Sequence, residues 1–102
     1  MIDIGLKAID IENINAIFSQ HKAVEKVIVY GSRARGDYKP FSDIDLAIKG
    51  ENMDDRMQQE IENDLDDLLL PNRFDLSVYE KISDKNLLEH IDVSGKTLYH
   101  RV

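Results

Sequence analysis

Residues 26–49 read KVIVYGSRARGDYKPFSDIDLAIK and contain two predicted strands separated by a glycine-containing loop. The first strand, Lys26 to Tyr30, is short and rich in β-branched residues, which is typical of a buried strand. The loop, Gly31 to Gly36, predicts a tight turn and one helical turn that Gly36 ends. The second strand, Asp43 to Lys49, alternates between the two faces of a sheet. Its apolar face carries Ile44, Leu46 and Ile48, and its other face carries Asp43, Asp45, Ala47 and Lys49.

Hydrophobic periodicity and turn residues predict the elements around these two strands. In chain order they are a helix over about residues 11–20 capped by Asp10, a helix from the cap Asn52 to about Leu70 stopped by Pro71, a strand over residues 74–79, a helix from Ser83 or Asp84 to Gly95, and a short edge strand over residues 96–99. The short first connection favours antiparallel pairing, and the helical crossover favours parallel pairing of the second and third strands. The predicted fold class is α/β (α+β), a small mixed sheet flanked by helices in the order α-β-α-β-α-β-α.

Length and composition limit the classes of protein to which this chain can belong. A chain of 102 residues, 42% hydrophobic and 32% charged, predicts one globular domain over residues 1–102. It contains no cysteine, which excludes disulfides, thiolate zinc sites and cysteine nucleophiles. Neither a basic leader nor an apolar run of about 20 residues is present, so we expect a soluble cytoplasmic protein that does not associate with membranes.

The net charge of -7 is unevenly distributed. Residues 1–50 carry seven basic and seven acidic side chains, whereas residues 51–102 carry six basic and thirteen acidic ones. This balance argues against a general nucleic-acid-binding protein, because such proteins show a basic surface. It is compatible with a metal-dependent site or with a basic protein partner.

Chemistry-bearing residues cluster where the first two predicted strands would meet. Gly31 and Ser32 end the first strand, where exposed backbone N–H groups can bind the phosphates of a nucleotide. Asp43 and Asp45 begin the second strand and project from one face, and Asp75 lies on the polar side of the third. Carboxylates without histidine or cysteine prefer hard cations, chiefly Mg²⁺ or Mn²⁺. Three carboxylates on one face of a sheet can hold two divalent ions roughly 3.5–4 Å apart.

Other motifs carry weaker signals. The glycine spacing is not a Walker loop, because Asp37 and Tyr38 occupy the lysine and Ser/Thr positions. The three histidines lack metal-ligand spacing and are predicted to be surface or core residues. The eight acidic residues between Glu51 and Asp67 form either a solvated helix face or a docking surface for a basic partner.

The run GSRARGD, from Gly31 to Asp37, followed by SDIDLA, from Ser42 to Ala47, resembles the signature of DNA polymerase β-like nucleotidyltransferases. More narrowly, it resembles the minimal nucleotidyltransferase (MNT) group. The resemblance extends from Gly5-Leu6 through the leading helix to a third carboxylate in Arg73-Phe74-Asp75-Leu76, and so covers nearly the whole chain.

The resemblance implies a role for each matching residue. Ser32 and the Gly31 backbone would hold the terminal phosphates of ATP. Asp43 and Asp45 would bind both of two Mg²⁺ or Mn²⁺ ions, while Asp75 would bind the catalytic ion and help deprotonate the attacking hydroxyl. Either Arg33 or Arg35 would add positive charge beside the phosphates, and Ser42 completes the predicted nucleotide-binding set.

The resemblance also implies a partner. MNT proteins typically pair with a helical HEPN protein, often the toxin of a toxin–antitoxin pair, and some transfer AMP from ATP to tyrosines of that partner. We therefore expect a hetero-oligomer in which the partner supplies the acceptor. Two alternatives stay open, namely an antitoxin that acts by contact alone and a small-molecule nucleotidyltransferase that needs a separate substrate-binding subunit.

Overall fold

The computed structural model describes residues 2–102 and contains a four-stranded mixed sheet with the strand order β3-β2-β1-β4. Its elements are α1 (Ala8–Gln20), β1 (Val24–Tyr30), α2 (Ser32–Arg35), β2 (Ile44–Gly50), α3 (Asp55–Asp66), β3 (Phe74–Val78), a 3-10 turn (Tyr79–Lys81), α4 (Lys85–Ser94) and β4 (Lys96–His100). Strand β1 pairs antiparallel with β2 and with β4, and β2 pairs parallel with β3. The predicted fold class, element order and strand pairing are confirmed.

The two faces of the sheet are covered differently. On one face, the apolar positions of β2 pack against α1 and α3 in the main core. The fully buried side chains there include Ile14, Phe18, Ile44, Leu46, Ile48, Ile61 and Leu65. On the opposite face a smaller cluster joins Ile28, Tyr30 and Ala47 to Ile91 of α4. The acidic positions of β2 and β3 share this second face, so the sheet separates the core from the charged residues.

Two predicted helix caps differ from the observed ones. Asp10 lies inside the first turn of α1 instead of capping it. The cap of α3 is Asp54, whose carboxylate accepts the Met57 N–H at 2.8 Å, and not Asn52. Asn52 has a positive φ of 57° and belongs to the turn before the helix. Of the two predicted caps of α4, Asp84 is the observed one.

Two predicted elements end earlier than expected. Helix α3 stops at Asp66 instead of Leu70, and Leu69 adopts a φ of 56°, which no α-helix can include. Apolar residues continue the helical pattern beyond the true end, so periodicity overestimates the length. Strand β3 stops at Val78, because Tyr79 begins the 3-10 turn.

Within residues 2–102, every helix is too short or too polar to cross a membrane.

Candidate active site

Strand register brings the predicted carboxylates together. Tyr30, the last residue of β1, pairs with Asp45 of β2, and Asp45 lies directly beside Asp75 of β3. Neighbouring strands are roughly 4.8 Å apart, and residues in register in a parallel pair point to the same face. Asp43 lies just before β2 and is exposed. Asp45 and Asp75 are therefore neighbours beside the end of β1, where the glycine-serine loop begins, and the charge of Asp43 reaches Asp45.

Gly31 joins the loop to this acidic face. Its φ of 72° lies in the region that favours glycine, and a Cβ at this position would overlap the Asp45 carboxylate. Any other residue would displace Asp45 or distort the turn. Helix α2 follows at once with Ser32, and Gly36 ends it at a φ of 92°. The predicted turn, its single helical turn and its glycine end are confirmed.

The electrostatics of Asp45 reflect this crowding. Partial burial raises the pKa of Asp45, and the carboxylates of Asp75 and Asp43 raise it further. The guanidinium of Arg35 acts in the opposite direction. Asp45 is therefore the carboxylate whose charge is most costly when no cation is bound.

The donor set suits a hard cation in its chemistry. All three side chains offer carboxylate oxygens, and their mutual repulsion would be relieved by a divalent ion. As placed in the part of the chain that the structure describes, no three acidic or histidine side chains converge closely enough to enclose an ion. Asp43 and Asp75 are both exposed, so their side chains are free to turn toward a cation bound beside Asp45.

Tyr30 is a neighbour of the site that the sequence did not reveal. Its ring is buried, and its hydroxyl lies 3.5 Å from the Ser77 hydroxyl of β3. Burial raises the pKa of Tyr30, the hydrogen bond to Ser77 opposes this, and the charges of Asp75 and Asp45 add to the rise. The Tyr30 hydroxyl is thus neutral at physiological pH and lies on the same face of the sheet as Asp45 and Asp75.

Arg33 occupies a different place from the phosphate-binding position that the resemblance implied. Its side chain is only 1% exposed. The guanidinium donates to the carbonyl oxygens of Ile4, Pro40 and Ser42 at 2.8–3.3 Å, and it stacks over the Tyr38 ring. Because its donors are taken by backbone carbonyls, Arg33 holds the loop between α2 and β2 and is not free to bind a nucleotide.

Arg35 and Ser42 complete the predicted nucleotide-binding set. Arg35 is exposed, contacts Asp37 at 3.4 Å and has a positive charge that lowers the pKa of Asp45, so it is available to phosphates. The Ser42 hydroxyl accepts the Lys39 N–H at 2.8 Å, which closes the loop before β2. This hydrogen bond gives Ser42 a structural role in the loop. Nucleotide binding by Gly31, Ser32 and Arg35 stays a prediction.

Two histidines make specific contacts that their scattered spacing did not indicate. His21 bonds Asp64 of α3 at 2.8 Å. His90 of α4 accepts the backbone N–H of Gly31 at 3.0 Å. No local motif could reveal these contacts, because the partners are 43 and 59 residues apart in sequence.

Comparison with known proteins gives the family. Residues 12–102 match the family described as polymerase beta, nucleotidyltransferase. The chain belongs to this nucleotidyltransferase family. The resemblance seen in the GSRARGD and SDIDLA runs is thereby confirmed, and so is the prediction of a nucleotidyltransferase.

Individual relatives of this nucleotidyltransferase share sequence or fold with it. A candidate protein adenylyltransferase of Methanocaldococcus jannaschii is 46% identical over 41 residues, which are 39% of this chain and 41% of that protein. The match thus spans about two-fifths of the length of that curated relative.

Two solved structures extend the comparison. One chain of a toxin–antitoxin complex with AMP-PNP superposes with a TM-score of 0.73 at 20% identity, covering 89% of this chain and 73% of that one. One chain of the complex between a tri-AMPylated HEPN toxin of Shewanella oneidensis and an MNT antitoxin gives a TM-score of 0.70 at 17% identity, covering 94% and 74%. At such identities these structures establish a shared fold.

Proposed function

We propose that this nucleotidyltransferase transfers AMP from ATP to a helical HEPN-type partner protein and thereby acts as its antitoxin. The observation that carries the proposal is the register that sets Asp45 beside Asp75 and against the Gly31-Ser32 loop. The names of its relatives support the choice of reaction and partner, since they include a candidate protein adenylyltransferase and a tri-AMPylated HEPN toxin bound to an MNT antitoxin.

In this proposal Asp43, Asp45 and Asp75 hold Mg²⁺ or Mn²⁺, with two ions as the family resemblance implies. Bound ions supply Lewis-acid stabilisation of the charge on the transferring phosphoryl group. The Ser32 hydroxyl donates a hydrogen bond to the terminal phosphates. Arg35 adds positive charge beside them, because it is exposed and close enough to influence Asp45.

The reaction joins the α-phosphorus of ATP to an acceptor hydroxyl of the partner, a tyrosine in our proposal. The oxygen–phosphorus bond to pyrophosphate breaks, and pyrophosphate leaves. Asp75 accepts the proton of the attacking hydroxyl, since it is exposed on the edge strand β3 and open to a docked partner. Asp45, half-buried behind it, keeps the phosphate loop and the acidic face in register.

A contact antitoxin is the second candidate, favoured by the exposed carboxylates of Asp66 and Asp67 at the end of α3. Carboxylates at a helix C-terminus oppose the helix dipole, so their presence suits an intermolecular role. Asp64 is not part of this surface, because it already bonds His21 within the chain.

The deciding experiment incubates the purified pair with ATP and Mg²⁺ and follows the partner by mass spectrometry. We expect the partner to gain one or more AMP groups. Asp45→Asn should abolish the gain, by at least about 100-fold, while still binding the partner, because it removes a charge at constant size. Asp10→Asn, the same change away from the site, should behave as wild type.

The contact antitoxin predicts a different result. No mass would appear, and wild type and Asp45→Asn would inhibit the partner equally. Asp66→Lys/Asp67→Lys should slow association most at low salt, although it improves the helix end. Efficient modification of a small molecule without any partner would contradict both candidates.

A further inference from the structure

The imidazole of His90 lies beside the predicted phosphate loop. Its Nε2 accepts the Gly31 N–H at 3.0 Å, and its ring meets the Tyr30 ring edge-on, with centroids 6.3 Å apart. Because a backbone N–H can only donate, Nε2 carries no proton and the neutral ring holds its proton on Nδ1. The contact links α4 to the first residue of the loop.

This hydrogen bond fixes the orientation of one peptide plane in the loop. Gly31 has a positive φ of 72° and its α-carbon lies against the Asp45 carboxylate, so a rotation at this residue would disturb both loop and acid. Glycine by itself permits many backbone orientations. An acceptor on the Gly31 N–H selects one of them, and thereby sets the direction in which Ser32 leaves the strand.

His90 is held in place by its neighbours rather than by Gly31. The adjacent Ile91 is 1% exposed and packs among Ile28, Tyr30 and Ala47. At the end of α4, Gly95 approaches Ile28 so closely that a Cβ there would overlap it. Since these contacts dock the helix, replacement of the imidazole should leave α4 in position.

We infer that His90 is a positioning residue for nucleotide binding, which acts through the Gly31 N–H to orient the phosphate loop. The inference rests on the proposed function, because it concerns how the same loop binds ATP. His90 accepts the Gly31 N–H that the family resemblance assigned to phosphate binding, so in this inference the phosphate contacts fall to Ser32 and the residues that follow it and no longer to the Gly31 backbone. The imidazole itself touches no phosphate.

A pair of substitutions separates this role from a merely structural one. His90→Gln keeps an acceptor near the position of Nε2, whereas His90→Phe keeps the ring volume without an acceptor. In His90→Phe we expect the dissociation constant of AMP-PNP and the KM for ATP to rise about three- to ten-fold, the worth of one hydrogen bond, with kcat unchanged. His90→Gln should stay within about two-fold of wild type, and the exposed His100→Phe should not differ from it.

A purely structural histidine would give another pattern. Fewer active molecules would lower the apparent kcat and leave both KM and AMP-PNP affinity unchanged. Equal behaviour of His90→Phe and His90→Gln would also overturn the inference. So would ¹⁵N NMR spectra of the free protein that place the His90 proton on Nε2.

The outcomes also distinguish this inference from the proposed function. Wild type that binds AMP-PNP but transfers no AMP to the partner would overturn the proposed reaction, while the affinities of the variants still decide the role of His90. Wild type that binds no AMP-PNP would overturn both.

Discussion

The side chains of β2 alternate between the two faces of the sheet, and the two faces differ in burial and charge. On β2, the even-numbered positions from Ile44 to Ile48 are fully buried against α1 and α3. The intervening position 45 carries a carboxylate that is partly buried, crowded by other acids and raised in pKa. Strand β2 therefore stabilises the fold through one face and carries repulsive charge on the other.

This difference between the faces explains how a chain of 102 residues can keep repelling carboxylates close together. The buried apolar face provides the free energy of folding through area removed from water. The acidic face can then be optimised for binding, because its strands are already fixed by packing behind them. Substitutions on the two faces should consequently affect different measurements.

Removing apolar volume from the core face should give the largest effect on stability. Leu46→Ala should lower the free energy of unfolding by about 2–5 kcal/mol, because it leaves a cavity in a fully buried site. For a chain of this length the thermal midpoint then falls by roughly 4–8 °C for each kcal/mol. Lys49→Ala on the opposite face should cost under about 1 kcal/mol, mainly the contact with the Tyr79 ring. Equal losses in thermal melts would contradict the division between the faces.

Cation binding should stabilise the acidic face by the next largest amount. At a concentration 100 times its dissociation constant, Mg²⁺ should add about 2.7 kcal/mol and raise the thermal midpoint. Asp43→Asn/Asp45→Asn should lose this response, because it removes two of the three carboxylate charges that would hold the ion. A wild-type midpoint that ignores Mg²⁺ and Mn²⁺ with nucleotide present would refute the metal site.

The loop should show a smaller effect, confined to function. Ser32→Ala should weaken ATP binding or turnover by roughly ten- to a hundred-fold, the value of a hydrogen bond of about 1.5–3 kcal/mol to a charged group. Its melting temperature should stay that of wild type. Ser19→Ala, an exposed serine on α1, is the matched control. Unchanged ATP kinetics in Ser32→Ala would mean that phosphates bind elsewhere.

The smallest expected effect is the pH dependence of stability at Asp45. Because its pKa is raised in the folded state, the folded chain holds this proton more tightly than the unfolded chain. The resulting stabilisation is complete below the unfolded value near 3.8 and is lost as pH rises through the folded pKa. Asp45→Asn should therefore gain on wild type as pH increases, by at most about 1 kcal/mol because solvent screens the group. Denaturant unfolding across this pH range should give stability curves that diverge between wild type and Asp45→Asn. The control Asp10→Asn should run parallel to wild type.

Strand alternation and connection length were sufficient to predict the pairing of β1, β2 and β3, but not which strand β4 joins. The faces of β2, the pairing of β1 with β2 and the position of Asp75 beside Asp45 follow from a period of two and from a helical crossover. Helix ends were less predictable, since Leu68 and Leu70 extend the apolar pattern past the point where Leu69 leaves the helix.

The side-chain roles that could not be predicted depend on distant partners. Arg33 follows Ser32 and carries the charge expected of a phosphate ligand, yet carbonyls of Ile4, Pro40 and Ser42 converge on it. His90 belongs to no motif, and its contact with Gly31 exists only once α4 is docked. Local patterns report periodicity and turns, whereas these contacts arise from the tertiary fold.

The pairing of β1 with β4 has a consequence for synthesis of the chain. Lys26 to Val29 pair with residues 96–100. One edge of β1 therefore cannot form its hydrogen bonds until these later residues have been synthesised. At roughly 5–20 residues per second, about 70 intervening residues take several seconds to emerge from the ribosome. During that interval the backbone N–H and C=O groups along this edge of β1 have no strand partner, and such an edge can pair wrongly with other chains. The strand that leads into the Gly31-Ser32 loop is therefore completed on one side by a strand made about 70 residues later.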